Sequence, residues 1–310
     1  MSRILIVDDD VDLAELVKTR LASDGHEVED IHTGDGAFQK AKEFQPSIII
    51  LDIMLPGSTG YEITRRLRKD PELYRVGILL LTALGEEPEM VHGLEQGADD
   101  YLAKPFRLEN LMDKLRGLVS LMESIESRNA LSGLPGTEAV KREINHRLAR
   151  GVAISVCYID MVGFKAYCAA TGREGQKQAT EFMAKLLRQS ARNSGVYEGF
   201  MSHLGGEHFV VLLNLEDYER YCSTLIEAFD QGVHQLYKPE DVKKGYILAK
   251  DKQGREVKAP LMRLAIGVTH NQHRHYKSAK KVFEVLAQTR QMAKPEGRSV
   301  MFVDRRKVDR

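Results

Sequence analysis

Several things are scarce in these 310 residues, and each scarcity excludes something. Cysteine occurs three times, at Cys157, Cys168 and Cys222; the number is odd and no pair has metal-type spacing. Neither a disulfide framework nor a thiolate metal centre is expected, which fits a reducing cytoplasm. Proline is held to 9 residues while 43% of the chain is hydrophobic, so the chain can build real cores and is not a disordered polymer. No apolar run approaches the roughly 18 residues that span a bilayer. The opening MSRILIVDDD turns acidic after four apolar residues, unlike a secretory leader. Net charge is also absent, with 45 basic and 45 acidic residues. That zero is a sum of opposites. Residues 1–126 carry 14 basic and 25 acidic side chains, a net of −11, and residues 127–310 carry 31 and 20, a net of +11. A jump of this size predicts two modules.

In the first 120 residues, short apolar runs alternate with helical spacing. Ile4–Val7, Ile48–Leu51 and Ile78–Leu81 are apolar at every position, as strands covered on both faces require. Asp12–Ser23 places Leu13, Leu16, Val17 and Leu21 on one helical face. The expected fold class is α/β with a doubly wound parallel sheet, whose site lies beyond the carboxyl ends of the strands. Those ends carry chemistry. The first run enters Asp8-Asp9-Asp10, the second ends at Asp52, the third at Thr82, and the short Tyr101–Ala103 run at Lys104-Pro105. Clustered carboxylates repel unless a cation joins them, and a hard ion such as Mg2+ takes oxygen ligands. One carboxylate could then attack phosphorus, with the metal, Lys104 and Thr82 stabilising the phosphoryl oxygens. Read alone, the three aspartates could equally be a helix N-terminal acid cluster.

The segments ILIVDDD, LDIMLPGSTGYE, LLLTA and DDYLAKPF resemble the receiver domain of two-component response regulators, over residues 1–120. The resemblance implies that Asp52 accepts a phosphoryl group from a histidine kinase or phosphotransfer protein in a phosphorelay. It implies that Asp8, Asp9, Asp52 and the Met54 carbonyl hold Mg2+. It makes Thr82 and Lys104 the groups that contact the phosphoryl oxygens and Tyr101 the switch partner of Thr82, with a cis Lys104–Pro105 bond.

Residues 107–130 read as a connecting helix overlapping the last receiver helix. Leu108, Leu111, Leu115, Leu118, Met122 and Ile125 are spaced 3, 4, 3, 4 and 3, an a/d seam. Its first turns serve as a core face. Its continuation predicts a homodimer through residues 108–125, which would pass a change at Asp52 onward.

The rest reads as mixed α/β. Ala153–Ile159 is a strand ending at Asp160, and Phe209–Leu213 another, preceded by Gly205-Gly206-Glu207-His208. Gln178–Ser190 and Ala279–Met292 are helices, and Leu261–Val268 a further strand. A hairpin with an acidic tip beside Asp160 could hold Mg2+ on a triphosphate. LSGLPG, YIDMVGFK, LGGEHF, RLAIGVT and AKPEGR resemble the GGDEF domain of diguanylate cyclases over nearly all of residues 128–304, which sets the expected domain at 131–310. The resemblance implies Mg2+ at Asp160, the Met161 carbonyl and Glu207, and phosphate contacts at Lys165, Lys294 and Arg298. It also marks departures. The base-reading Asn and Asp positions hold Cys168 and Lys177, which lack their hydrogen-bonding capacity. The fourth signature position holds His208, and the product-inhibition positions hold Val196 and Gly199. The expected output is therefore a degenerate GGDEF domain without catalysis, acting on a downstream protein. An active cyclase making cyclic di-GMP from two GTP, or a non-catalytic nucleotide-binding module, are the alternatives. Residues 238–260 read as a charged, solvated hairpin. His270, His273 and His275 read as loop residues rather than a metal site. The scattered basic residues of this half do not form a nucleic-acid footprint.

Overall fold

Strands that are apolar on both faces need cover on both faces, and the three such strands among the first five, at residues 3–7, 48–52 and 77–82, obtain it. The structure, a computed structural model, describes residues 2–82, 96–196, 199–250, 253–272, 274–293 and 297–306. Strands β1 (Arg3–Val7), β2 (Glu27–Ile31), β3 (Ile48–Asp52), β4 (Gly77–Thr82) and β5 (Asp100–Ala103) form one parallel sheet, ordered β2-β1-β3-β4-β5. Helices α1 (Val11–Ser23), α2 (Gly34–Phe44), α3 (Gly60–Lys69) and α4 (Leu108–Glu126) accompany it. Leu5, Val7, Ile49, Leu51 and Leu80 pack with Ala37, Ala41 and Phe44 of α2 and Ile63 and Leu67 of α3. The alternate residues Ile4, Ile6, Ile48, Ile50 and Leu79 are equally buried. The order reverses at β1, so β1 and β3 lie side by side with Val7 opposite Leu51. This switch point is where open α/β sheets place their sites.

The apolar 3-4 face of α4 is buried. Leu111, Leu115 and Leu118 are buried, and so are Met122 and Ile125, at 8% and 6% exposure. Gly77 supplies the reason at Met122. Its missing side chain leaves room for the Met122 sulfur, which would lie 3.2 Å from a Cβ there. The 3-4 spacing thus runs along a buried face of α4. The helix also stops at Glu126, short of residue 130.

The chain divides into two compact units, residues 1–126 with 145–151, and residues 127–144 with 152–310. The second contains α5 (Thr137–Ala149, which crosses the division), β6 (Ile154–Val162), α6 (Phe164–Asn193), β7 (Phe200–Gly205), β8 (His208–Asn214) and α7 (Tyr218–Gly232). After these come α8 (Pro239–Lys244), β9 (Tyr246–Lys250), β10 (Glu256–Pro260), β11 (Arg263–His270), α9 (Ala279–Ala293) and β12 (Val300–Val303). The main sheet is mixed, ordered β12-β11-β6-β8-β7, with β11–β12 parallel and the other pairs antiparallel. Helix α6 is longer than the Gln178–Ser190 core expected for it and kinks at Gly172, whose φ of 71° suits glycine. The free edge at β7 is covered by the Ser132–Gly136 turn: His203 N–H and Ser202 Oγ donate to the Pro135 carbonyl at 2.9 Å. The β9–β10 hairpin forms as expected, but it is no solvated decoration. Ile247, Ala249 and Ala259 join the core with Met262. His270 ends β11, and His273 lies outside the described residues.

Two carboxylate sites

The first site is assembled where β1 and β3 end. The three consecutive aspartates divide the work by geometry. Asp10 caps α1, its carboxylate accepting from Leu13 N–H at 3.0 Å, while Asp9 is exposed. Asp8, 1% exposed, turns inward and accepts from Asp10 N–H at 3.0 Å and from Lys104 Nζ at 2.7 Å. Asp52 accepts from Met54 N–H at 2.9 Å, and its other oxygen bonds the same Lys104 ammonium. Ligand atoms of Asp8, Asp9 and Asp52 lie within 4.8 Å of one another.

Neighbouring backbone holds this arrangement. A Cβ at Gly60 would collide with the Asp52 carbonyl oxygen, so glycine lets α3 begin against the strand end. Thr59 and Glu62 form a capping box at that start. The Lys104–Pro105 peptide is cis, and Lys104 N–H donates to the Thr82 carbonyl at 2.6 Å, fixing where the lysine leaves β5. Thr82 is buried; Tyr101 is half-buried against the core, with Lys114 Nζ 5.4 Å from its ring centre.

Burial pushes the Asp8 carboxyl above its ordinary 3.8, although the Lys104 bond and the Asp10 amide oppose the rise. Burial alone would depress the Lys104 ammonium, but its bonds to Asp52 and Asp8 leave it above 10.5. A carboxylate cluster with one ammonium and an exposed third member suits a hard divalent ion. Receiver domains typically bind Mg2+ in such an acidic pocket, and Asp8, Asp9 and Asp52 provide the oxygen donors here.

The second site lies at the Gly205-Gly206 turn, where φ values of 113° and 56° require glycine. The tip is tied down on both sides. Met161 N–H donates to the Glu207 carbonyl at 3.0 Å, and His203 Nε2 reaches the Gly206 carbonyl at 3.0 Å. His203 stacks on Phe209 at 4.2 Å, and burial lowers its pKa, so it holds the turn as a neutral ring. Asp160, 1% exposed, pairs in register with His208, and ligand atoms of Asp160, Glu207 and His208 fall within 4.8 Å of one another.

Here the carboxylates meet several basic groups. Glu207 pairs with Lys165 Nζ at 3.0 Å and faces His208 Nε2 at 3.6 Å. Burial would raise the Glu207 carboxyl, but the Lys165 bond and the charges around it hold it below its ordinary value. Asp160 pairs with Arg290 Nη1 at 3.4 Å and faces His208 Nδ1 at 3.7 Å. Arg290 was not anticipated from the sequence. The available signal was a charged residue four positions after Leu286, on the buried stripe of α9. Equally unforeseen is Arg68, buried and bonded to Asp99 at 2.8 Å and to three backbone carbonyls, which anchors the start of β4.

Among the expected phosphate contacts, Lys165 is engaged by Glu207, Arg298 is exposed, and Lys294 lies outside the described residues. Cys168 is half-buried against the core and Lys177 is exposed. Val196 is a core residue, and Gly199 lies against Leu213.

A family model for the response regulator receiver domain matches residues 4–116. The phosphate regulon transcriptional regulatory protein PhoB of Rhizobium meliloti is 44% identical over 119 residues, covering 38% of this chain and 52% of that protein. The DNA-binding dual master transcriptional regulator RpaA of Synechocystis is 38% identical over 125 residues, covering 40% and 52%. Among solved structures, the chemotaxis protein CheY4 of Vibrio cholerae is 31% identical with a TM-score of 0.37, covering 38% of this chain and 98% of that one. The chain spans about half the length of the curated relatives it matches. Among the described residues, no helix is long and apolar enough to cross a membrane. The family match ends before the second unit begins, so it speaks for the first unit: residues 4–116 are the receiver domain of a two-component response regulator.

Proposed function

We propose that the chain is a phosphorylation-controlled regulator in which Asp52 accepts a phosphoryl group from a histidine kinase or phosphotransfer protein. One observation carries this reading: Asp8 and Asp52, from the adjacent ends of β1 and β3, share the Lys104 ammonium. Asp8, Asp9, Asp52 and the Met54 carbonyl would hold Mg2+, which would neutralise charge on the incoming phosphoryl oxygens. Lys104 lies within reach of an oxygen on Asp52, and Thr82, at the end of β4, flanks it. Tyr101, on β5, is the side chain that would respond with Thr82 once the phosphoryl group is in place.

The second unit is read as a degenerate GGDEF domain that acts through protein contacts. Its base-reading positions hold Cys168 and Lys177, and its two carboxylates are paired with basic side chains of the same unit. The full-length protein, treated with Mg2+ and acetyl phosphate, should gain one hydroxylamine-labile phosphate that Asp52→Asn lacks; equal labelling of that variant would overturn the assignment. With Mg2+, GTP and beryllofluoride, chromatography should find no cyclic di-GMP. A product that disappears in Glu207→Ala would show an active cyclase instead.

A further inference from the structure

The likeness of the second unit to GGDEF domains implies a divalent cation between Asp160 and Glu207. The side chains around those carboxylates do not fit that ion. Two carboxylates this close need positive charge between them, and the unit supplies it covalently. Arg290 Nη1 lies 3.4 Å from each of three atoms, Asp160 Oδ2, Tyr158 Oη and His208 Nδ1. Its guanidinium therefore sits among the donors that a metal would use.

The position is built. The guanidinium rests over the Tyr158 ring, 4.9 Å from its centre. A Cβ at Gly267 would come within 2.7 Å of the Arg290 backbone nitrogen, so the bare glycine in β11 is what lets α9 approach closely enough for the side chain to reach β6. On the other side of the corner, Lys165 Nζ lies 3.0 Å from Glu207. A hard divalent ion takes oxygen ligands at about 2.0–2.6 Å. At Asp160 it would face a fixed cation, and at the fourth signature position it would find imidazole in place of a carboxylate.

We propose that Arg290 is the resident counter-ion of the Asp160–Glu207 corner, aided by Lys165, and that this corner consequently holds no divalent cation. The second unit would then bind neither Mg2+ nor a metal-bridged nucleotide through these carboxylates, whatever the first unit does.

Counting Mn2+ ions bound per full-length chain, by titration with electron paramagnetic resonance, tests this without reference to activity. Each variant is compared with the unmodified protein, so an ion in the receiver domain cancels from the difference. Asp160→Asn should leave the count unchanged. Arg290→Gln should add one ion, Arg290→Lys should add none, and the double variant Arg290→Gln with Asp160→Asn should return to the starting count. Loss of an ion in Asp160→Asn would overturn the inference, since the corner would then already hold metal. A folded Arg290→Gln chain that gains no ion would overturn the role given to the guanidinium. The Asp160→Asn comparison stands if Arg290→Gln fails to fold.

Discussion

The two carboxylate sites begin from the same device, acids delivered at strand ends, and differ in the cations that meet them. In the first unit one lysine bridges Asp8 and Asp52, and the exposed Asp9 leaves the cluster rich in negative charge. In the second, Asp160 and Glu207 each have a basic partner of their own, Arg290 and Lys165, with His208 facing both. The ionisation of the two sites follows suit: burial wins at Asp8, whose pKa is raised, and pairing wins at Glu207, whose pKa is lowered. A surplus of uncompensated acid favours recruitment of a metal, whereas compensated acid is a structural ion-pair network.

The contrast is most sharply broken by paired amide substitutions. Asp52→Asn should abolish phosphoryl uptake from acetyl phosphate, and Glu207→Gln should leave it intact, as read by phosphate-affinity gel mobility. The bridging lysine comes next. In chelated buffer, Lys104→Met leaves Asp8 and Asp52 facing each other and should cost about 3 kcal/mol, the scale of breaking a buried ion pair. Calorimetry with added Mg2+ should recover part of that loss. The same change at Lys165, whose side chain is 84% exposed, should not measurably shift melting.

Glycines give a smaller effect with a different signature. Gly60→Ala and Gly267→Ala should each destabilise by about 1–3 kcal/mol through overpacking. Only the former, which presses on the Asp52 carbonyl, should slow phosphorylation. The gentlest test is pH. Asp8 binds its proton more tightly in the folded chain than in the unfolded one, so its contribution to stability declines as pH rises from 3.8 through its raised folded value. Glu207 does the reverse: its contribution is present above 4.5 and is lost as pH falls through its lowered folded value. In metal-free melts, Asp8→Asn should therefore gain stability relative to the parent at pH 7, while Glu207→Gln should lose it; equal signs would break the comparison.

Much of the first unit was legible because its signals are local. Runs such as Ile48–Leu51 can be buried on both faces only in a covered parallel sheet, and the acids follow those runs directly. What local reading left open was which aspartate does what. The ends of β1 and α1 decide it: Asp8 follows the last paired residue of β1 and turns inward, and Asp10 is left to cap α1. Local reading is also ambiguous along α4, because a 3-4 spacing describes a buried core face and a coiled-coil seam equally well; here it runs through the buried Leu111, Leu115, Leu118, Met122 and Ile125. Residues 238–260 misled for a related reason. Charge dominates that segment, yet alternation along two strands puts Ile247, Ala249 and Ala259 on one inner face.

By itself, the sequence determined the division of charge into an acidic and a basic half, the strand runs of the first unit and the acids that end them. Which cation meets which carboxylate was decided only by tertiary structure. Lys104 reaches Asp8 across 96 positions and Arg290 reaches Asp160 across 130. Pairings that distant depend on strand order and on how closely a helix can press on a sheet, and at Gly267 a single absent Cβ sets that approach.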